Sequence, residues 1–446
     1  MLPMLSAEDN VLLTRTGPGT PMGDLFRRFW QPVLLSQELP ERDGPPVRVK
    51  VFDQDLIAFR DTDGRVGLVE PVCPHRGANL FFGRNEDCGI RCAYHGWKFD
   101  VAGRCVDMPT MPPESRFRDR VRIAAYPARE WGDFVWAYLG PEGHEPPLPE
   151  FEFAVLPASH RFVSKKLQQC NWAQACEGAI DTAHFSFLHM PVWSAQDGID
   201  AAVSRSSVDV ERTRWMRDDP RPEFDVVAHD VGFVAGAARK ANGDDLYWRI
   251  AQYMLPNHAL TPNAFPGENI HGQSWVPITD ELCWVFCYTW NPDRPLTGQE
   301  RAQFRAGRSV HAEVDVSFTP LRNRDNDYLI DRADQKLRTF TGIQGVSEQD
   351  AMIQDSQGLI ADRTREHLGP TDVAIIEFRK QILRAARALQ AGVEPPAARN
   401  AAGYRLRGGS IVAPRSLSFA DTMIKRFGHI WGAPGVPQAP HASGQT

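Results

Sequence analysis

The sequence lacks several patterns that would each point to a different kind of protein. It has no run of lysine and arginine, and its 50 Lys+Arg against 56 Asp+Glu give a net charge of -6, so the basic surface that nucleic acid requires is missing. The longest apolar run, near residues 282–290, is far too short to cross a membrane, and residues 1–8 lack the regions of a signal peptide. We therefore expect a cytoplasmic protein with a small-molecule substrate and neither nucleic acid nor membrane as partner.

Cysteine is also sparse and scattered. The eight cysteines lie at positions 73, 88, 92, 105, 170, 176, 283 and 287, without the spacing of a disulfide framework, and thiols stay reduced in the cytosol. Two of them, Cys73 and Cys92, belong to a motif described below. We expect the other six to be small buried apolar residues.

A chain of 446 residues is longer than one hydrophobic core ordinarily accommodates, which predicts two domains, each with its own core. Apolar residues alternate from Val47 onward, a turn follows at residues 61–64, and a last apolar strand ends at Leu139, which predicts a small antiparallel all-β domain over residues 47–140. The stretch 140–149 is dense in proline and glycine and predicts a linker.

The remaining segments predict a larger α+β domain and two extensions. Residues 1–46 contain a helix behind Thr20 and Pro21, and we expect this N-terminal helical segment to pack on the larger domain. After the linker, long strands alternate with helices, of which the best runs from 372 to 390 behind Thr371 as N-cap. Residues 150–428 therefore predict an antiparallel sheet with surrounding helices, and residues 429–446 a surface tail.

Two short motifs pair a cysteine with a histidine. They are Cys73-Pro-His75-Arg-Gly77 and Cys92-Ala-Tyr-His95-Gly96, each with a glycine that allows a tight loop tip. A structural zinc site normally has a cysteine pair followed by a histidine pair. The interleaved order instead favours a [2Fe–2S] cluster in which two thiolates bind one iron and two imidazoles bind the other. Visible absorbance would separate the alternatives, since zinc is colourless and such a cluster is red-brown.

These motifs, continued by Trp97-Lys98-Phe99, resemble Rieske proteins of the oxygenase branch. Rieske proteins of respiratory complexes carry an extra disulfide across the two loops, and the corresponding positions here are Ala78 and Tyr94. The resemblance implies that the cluster ligands are Cys73, His75, Cys92 and His95.

A second candidate site contains Asp181, His184 and His189. His189 lies five residues after His184 and would point about 140° away on a straight helix, so both can meet one ion only if the helix ends or distorts. Taken alone, the segment is more simply two unrelated histidines on a partly buried helix. An electron carrier upstream favours the other interpretation, because two histidines and a carboxylate form a non-heme Fe(II) site with open positions for O2.

The pattern Asp-x2-His-x4-His after such a domain resembles the α subunit of ring-hydroxylating oxygenases over nearly the whole chain. The resemblance implies that His184 and His189 bind a mononuclear Fe(II) and that Asp181 bridges to a cluster-ligating histidine of a neighbouring subunit, His95. The third ligand is then a later carboxylate. Asp350 matches that ligand better than Asp355, although either could instead cap a helix.

Three further stretches, at residues 17–23, 325–331 and 356–369, resemble the phthalate-dioxygenase branch of this family. The resemblance implies a terminal oxygenase of aromatic hydrocarbon catabolism that uses O2 and an NAD(P)H-dependent reductase with flavin and [2Fe–2S] to dihydroxylate a phthalate-like or aryl-ether acid. It also implies a homo-oligomer, an α3 homotrimer or a stack of two α3 rings. The alternative is O-demethylation of a methoxylated lignin-derived acid, and a more distant one is a Rieske electron carrier without oxygenase activity, which predicts about 100 residues.

The substrate pocket should lie between residues 190 and 290. Its candidate aromatic residues, most of which should belong to the core, are Trp193, Phe233, Trp248, Tyr253, Phe265, Trp275 and Phe286. A substrate carboxylate could be gripped by Arg205, Arg214 or Arg249, among which the sequence does not choose.

Overall fold

The computed structural model describes residues 5–112, 114–192 and 209–428. Trp193, Arg205 and the predicted tail at residues 429–446 lie outside the described residues. The α-helices are α1 (Ala7–Thr14), α2 (Pro21–Phe26), α3 (Glu152–Val155), α4 (Trp172–Ile180), α5 (Val210–Asp218), α6 (Gly298–Arg305), α7 (Arg332–Leu337), α8 (Val346–Ser356), α9 (Val373–Gln390), α10 (Pro396–Arg399) and α11 (Phe419–Phe427). None of these helices is long and apolar enough to span a membrane.

The strands fall into a group before the Pro-rich stretch and a group after it. The first group is β1 (Gln31–Leu35), β2 (Val47–Val51), β3 (Gln54–Arg60), β4 (Val66–Val69), β5 (Arg84–Glu86), β6 (Gly89–Arg91), β7 (Lys98–Phe99), β8 (Cys105–Asp107), β9 (Ala128–Trp131) and β10 (Phe134–Ala137). The second group is β11 (Arg161–Gln168), β12 (Glu223–His229), β13 (Gly232–Lys240), β14 (Asp245–Met254), β15 (His258–Leu260), β16 (Ile270–Pro277), β17 (Cys283–Trp290) and β18 (Gly409–Pro414).

The first group forms three small antiparallel sheets. They have the strand orders β2-β3-β4, β5-β6-β7-β8 and β1-β10-β9. Strand β1 lies within the segment that the sequence predicted to be helical, and it pairs Leu35 with Phe134. All five residues of this strand are buried, so apolar and polar residues do not alternate along it. The sequence therefore lacked the alternating pattern by which a strand is predicted.

The second group forms one eight-stranded antiparallel sheet of order β11-β17-β16-β15-β14-β13-β12, with β18 added beside β14. Helices α4 and α9 pack on this sheet, and α9 presents Ile375, Phe378 and Ile382 to the core at helical spacing. The α+β fold that the sequence predicted is therefore observed. The N-cap of α9 is Asp372 and not Thr371, because residues 370–372 form a short 3-10 turn that precedes the helix.

Most buried residues of the two groups of strands belong to one hydrophobic core. The sequence had predicted a separate core for each domain. Leu56, Leu68 and Trp136 of the small sheets belong to the same buried cluster as Trp172 and Phe286 of the larger part. We call this cluster the joint core. A smaller second core contains the two motif cysteines together with residues of the small sheets, such as Phe59 and Phe99.

The turn between β2 and β3 shows how the joint core forms. Phe52 and Asp53 occupy this two-residue turn with positive φ angles, and their backbone N–H groups donate to the carbonyls of Pro277 and Ile278 at 2.8 Å each. The fully buried Phe52 ring packs against Phe26 of α2, with 5.5 Å between ring centroids. The hairpin tip is thus bonded to the end of strand β16 in the large sheet.

Candidate metal centres

The two cysteine-histidine motifs form matching loops, which we call the cluster loops (residues 73–77 and 92–96). In each loop the cysteine N–H donates to a carbonyl beyond the loop at 2.8 Å, and the glycine N–H returns to the cysteine carbonyl at 3.0 Å. Gly77 and Gly96 both have φ near +75°, a conformation that a side chain would strain. The tight loop tips therefore depend on these two glycines.

The four predicted cluster ligands come together between the loops. Cys73 and Cys92 are buried, and the imidazoles of His75 and His95 lie 4.4 Å apart between ring centroids. The His75 ring stacks on Trp97, and its buried Nδ1 has no hydrogen-bond partner among the described residues. Buried polar atoms normally have a hydrogen-bond partner, so the unpartnered Nδ1 of His75 is available to bind a metal. Together with the two thiols and the second imidazole it forms a donor set that fits a [2Fe–2S] cluster.

Burial raises the pKa of the Cys73 thiol to about 11, with a further contribution from the neighbouring Cys92. The apoprotein therefore disfavours a thiolate at this position, and a bound cation would reverse the preference. Of the six remaining cysteines, five are buried and Cys88 is partly exposed, and all six are free thiols. The expectation of small buried residues holds for those five.

A second set of donors lies behind helix α4. The Nε2 atoms of His184 and His189 are 3.2 Å apart, and Oδ1 of Asp350 lies 3.5 Å from the first and 3.2 Å from the second. These three ligand atoms can meet one metal ion. Two imidazoles and one carboxylate leave coordination positions open, which suits Fe(II).

The chain brings the two histidines together because helix α4 ends before them. Its last residue is Ile180, Asp181 is the C-cap, and His184 begins a short 3-10 turn over residues 184–186. The sequence placed Asp181 and His184 on one helical turn, and the structure does not. Oδ2 of Asp181 nevertheless lies 3.4 Å from Nδ1 of His184. The break removes the 140° divergence expected of a straight helix.

Both imidazoles are oriented by a partner on the ring nitrogen that faces away from the centre. Nδ1 of His189 lies 2.6 Å from Oε1 of Gln349, whose amide N–H donates to the carbonyl of Ile343 at 2.8 Å. Asp181 plays the same part for His184. Such partners fix the tautomer and leave Nε2 free for a metal. The role of Gln349 was missed by the sequence, where its only signal was its position beside Asp350.

The charges at this centre favour a cation. Burial acts to raise the pKa of Asp350, but His189 and His184 outweigh it, so the pKa lies below its ordinary value. Burial likewise acts to raise the pKa of Asp181, and the hydrogen bond and charge of His184 outweigh it. Both groups are carboxylates at neutral pH, the form that ligates or orients ligands.

Asp355 points elsewhere. Its Oδ2 accepts a short hydrogen bond from the hydroxyl of Tyr328, and burial raises the pKa of its carboxyl. It lies five residues, about 1.4 turns, further along α8 than Asp350 and so faces another side of the helix. The structure thus places Asp350, and not Asp355, beside the two histidines.

A largely enclosed cavity opens onto Asp350 from inside the large sheet. Its walls include Phe185, Asn263, Gln273, Trp275 and Val310, together with Lys166. Trp275 is the one predicted pocket aromatic that lines it among the described residues. The other described members of that set pack in the core: Phe233, Trp248, Tyr253 and Phe286 in the joint core, and Phe265 against a small cluster near Tyr247.

The two described arginine candidates do not line the cavity. Arg214 is exposed on α5. Arg249 is fully buried, and its guanidinium donates to Thr182 Oγ1, Tyr247 OH and Asn263 Oδ1 at 2.9, 3.3 and 2.6 Å. Arg249 therefore positions Asn263 at the cavity wall.

Comparison with known proteins gives two family matches that together span most of the chain. Residues 29–127 match the Rieske [2Fe-2S] domain, and residues 137–404 match the family described as LigXa C-terminal domain like. The predicted domains, residues 47–140 and 150–428, overlap these matched ranges, and their boundaries stay predictions.

Several curated proteins align over nearly their full length. The phthalate 4,5-dioxygenase oxygenase subunit of Pseudomonas putida is 41% identical over 87% of this chain and 88% of its own. The 3-chlorobenzoate-3,4-dioxygenase oxygenase subunit of Comamonas testosteroni is 37% identical over 95% of this chain and 99% of its own. The 5,5'-dehydrodivanillate O-demethylase oxygenase subunit of a Sphingobium species is 32% identical over 88% and 83%.

Among solved structures, dicamba monooxygenase bound to 3,6-dichlorosalicylic acid superposes with a TM-score of 0.57. The match covers 82% of this chain and 98% of that one at 18% identity. At this identity the likeness concerns the fold.

Proposed function

Because the chain belongs to the Rieske non-heme iron oxygenases, in the branch of phthalate 4,5-dioxygenase, we propose that it is the terminal oxygenase of a multi-component system that dihydroxylates an aromatic carboxylate. The observation that carries the proposal is the juxtaposition of the cavity with Asp350, His184 and His189. A substrate in this cavity lies beside an ion bound by those three residues. Relatives named for phthalate and 3-chlorobenzoate support the choice of an aromatic acid.

We assign the metal groups to the two donor sets described above. Cys73, His75, Cys92 and His95 would hold the [2Fe–2S] cluster, and His184, His189 and Asp350 would hold the mononuclear Fe(II). When bound, these groups supply single-electron transfer and O2 activation. The polypeptide's contribution is to position the ligands and the substrate and to exclude water.

The residues around the ligands perform that positioning. Gln349 accepts a hydrogen bond from Nδ1–H of His189, and Asp181 does the same for His184, so neither ring can turn its Nε2 away. The aromatic walls Phe185 and Trp275 suit a planar ring. The largely enclosed cavity limits the access of bulk water to a bound ring.

We further propose that Asp181 accepts a hydrogen bond from His95 of a neighbouring copy of the chain. Asp181 is partly exposed, at 29% of its side chain, and His95 is partly exposed beside Tyr94, which is 55% exposed. Both groups can therefore reach an external partner. This contact requires a homo-oligomer, and a ring of three chains or a stack of two such rings would supply it at every junction. The external electron donor would be an NAD(P)H-dependent reductase with flavin and [2Fe–2S].

O-demethylation of a methoxylated aromatic acid is the second candidate function, favoured by the relative named as a 5,5'-dehydrodivanillate O-demethylase. An electron carrier without oxygenase activity leaves the match over residues 137–404 unexplained. A zinc protein leaves the match to the Rieske domain unexplained.

The experiment is to load the protein with iron and sulfide, record its visible spectrum, and supply NADH, a Rieske-oxygenase reductase and 18O2. The test acids are phthalate, 3-chlorobenzoate and a methoxybenzoate. A cis-diol that carries two 18O atoms supports dihydroxylation, and formaldehyde release supports O-demethylation. A red-brown protein that oxidises none of these acids contradicts the proposed substrate class.

A further inference from the structure

One cation in the cavity has no anionic partner among the described residues. Lys166 of strand β11 lines the cavity and is 4% exposed. Its Nζ donates to Oγ of Ser347 at 2.5 Å and lies 3.4 Å from the Ser347 carbonyl. An ammonium group has three N–H donors, and a buried charge is costly unless it is paired. Both acceptors lie on one neutral serine, so no direct ion pair among the described residues balances this charge.

Three carboxyl groups lie near Lys166, and two of them are held by other side chains. Asp350 lies against the two histidines, and Asp355 accepts from Tyr328. Glu348 turns its carboxyl toward the loop at Gly345, and neither of its oxygens has a hydrogen-bond partner among the described residues. These three carboxyl groups interact with Lys166 electrostatically at longer range. None of the described residues forms an ion pair with Lys166.

The neighbouring lysine on the same strand shows the contrast. Lys165 is 3% exposed, and its Nζ forms an ion pair with Glu38 at 2.7 Å. It also lies 4.6 Å from the ring centroid of Trp284 and 4.3 Å from that of Phe318. Successive residues of a strand point to opposite faces. One buried lysine is therefore satisfied within the fold, while the other faces the cavity.

Two further donors lie beside Lys166 or across the cavity. Ser347 accepts from Lys166 through Oγ, so its own O–H is left to donate. Asn263 accepts from Arg249 through Oδ1, and its amide N–H2 has no acceptor among the described residues. The cavity thus presents an ammonium, a hydroxyl and an amide against the apolar side chains of Phe185 and Trp275.

We propose that Lys166, with Ser347 beside it, binds the carboxylate of the substrate and so determines the enzyme's selectivity for aromatic acids. This inference rests on the proposed function. An ammonium pairs with a carboxylate through a strong, charge-assisted hydrogen bond, and the adjacent hydroxyl supplies a donor for the second oxygen. The buried site would reject a neutral analogue, because that ligand leaves the ammonium unpaired.

The test measures ligand binding directly, by anaerobic calorimetry on the metal-loaded oxygenase. The probes are benzoate, 3-chlorobenzoate and phthalate, each compared with its neutral primary amide. Lys166→Met should weaken acid binding by roughly 30- to 5,000-fold, the range seen when one partner of a buried charge pair is removed. Its affinity for the amide should not fall. Lys165→Met removes an equally buried cation from the opposite face and should keep the wild-type affinity for the acid.

Equal acid affinity in wild type and Lys166→Met would overturn the assignment. If Lys166→Met does not fold, the wild type decides, since it must prefer an acid over its amide by at least about tenfold, and equal affinities would overturn the inference. A wild type that oxidises an acid while Lys166→Met binds it normally refutes only the role of Lys166. A wild type that neither binds nor oxidises any acid refutes the proposed function and this inference together.

Discussion

The two metal centres differ in how far apart along the chain their components lie. All four donors of the cluster loops fall between residues 73 and 95, and two turns with matching hydrogen bonds hold them. At the second centre, Gln349 lies 160 residues after the histidine that it orients. The first centre thus depends on local loop geometry, whereas the second depends on the packing of α8 against α4. A substitution at the first centre should therefore affect the structure of the neighbouring loop only, whereas the second centre should also respond to substitutions far away in the sequence.

The largest expected effect is at the cluster loops. Cys92→Ser should abolish the visible cluster spectrum and all turnover, because a serine oxygen does not replace a thiolate ligand. The mononuclear iron content and the far-UV circular dichroism should stay close to wild type, since the cluster loops have their own small core. Cys88→Ser, at a free thiol outside the donor set, is the control and should retain the spectrum. An unchanged spectrum in Cys92→Ser would remove this cysteine from the ligand set.

The next effect separates the two candidate carboxylates on α8. Asp350→Ala should lose the mononuclear iron and turnover but keep the cluster, because two histidines alone bind Fe(II) weakly. Asp355→Ala should keep most of the iron, since that carboxyl contacts Tyr328. Metal analysis after gel filtration measures both variants. The opposite pattern of iron loss would move the third ligand to Asp355.

Asp181→Asn tests the connection between the two centres. Asparagine keeps the size and one acceptor oxygen but removes the negative charge that supports a histidine N–H. The variant should bind both metals and reduce its cluster normally, while turnover falls by roughly 100-fold. Stopped-flow reduction and steady-state oxygen uptake give the two rates. Normal turnover would show that the charge of Asp181 is dispensable.

A mixing experiment determines whether that connection crosses between subunits. A His95→Ala variant lacks the cluster and a His184→Ala variant lacks the iron, so neither should be active alone. Co-assembled rings should recover part of the activity, because some junctions pair an intact cluster with an intact iron. Inactive mixtures, with wild-type rings active after the same treatment, would place the connection within one chain.

The smallest effect is expected at Gln349. Gln349→Met keeps the volume but removes the acceptor for His189 Nδ1–H, which should lower iron affinity by about 10- to 100-fold. Gln354→Met is the control, because that buried amide on the same helix bonds Gln168 and contacts neither histidine. Iron titration of the apoprotein measures both. Equal affinities in the two variants would show that Gln349 does not tune the site.

The sequence predicted the parts of the molecule that depend on neighbouring residues. The cluster loops and helix α9 follow from spacing within one short stretch. The paired histidines do not, because their spacing alone favoured two unrelated residues and only the motifs upstream favoured a metal site. The residues that it missed act across the fold: Gln349 orients a histidine from another helix, and Lys165 and Lys166 are indistinguishable in the sequence although one is ion-paired and the other faces the cavity.

The expectation of two separate cores failed for a similar reason. Proline and glycine between residues 140 and 149 indicate where the chain turns away from regular structure, but they do not indicate which surfaces meet. Val51 and Leu56 of the small sheet belong to the joint core, which also contains residues of the larger part of the chain. Burial alone does not reveal the identity of the partner.

The hydrogen bonds from Phe52 and Asp53 to Pro277 and Ile278 connect the two parts of the molecule directly. The stretch at residues 140–149 is therefore not their only connection. Noncovalent contacts hold the two parts together, so the polypeptide between them serves as a tether of secondary importance. A single proteolytic cut near Gly143 should therefore yield two fragments that migrate as one particle under native conditions and separate only in denaturant. Separately expressed fragments should, by the same contacts, reassociate when they are refolded together.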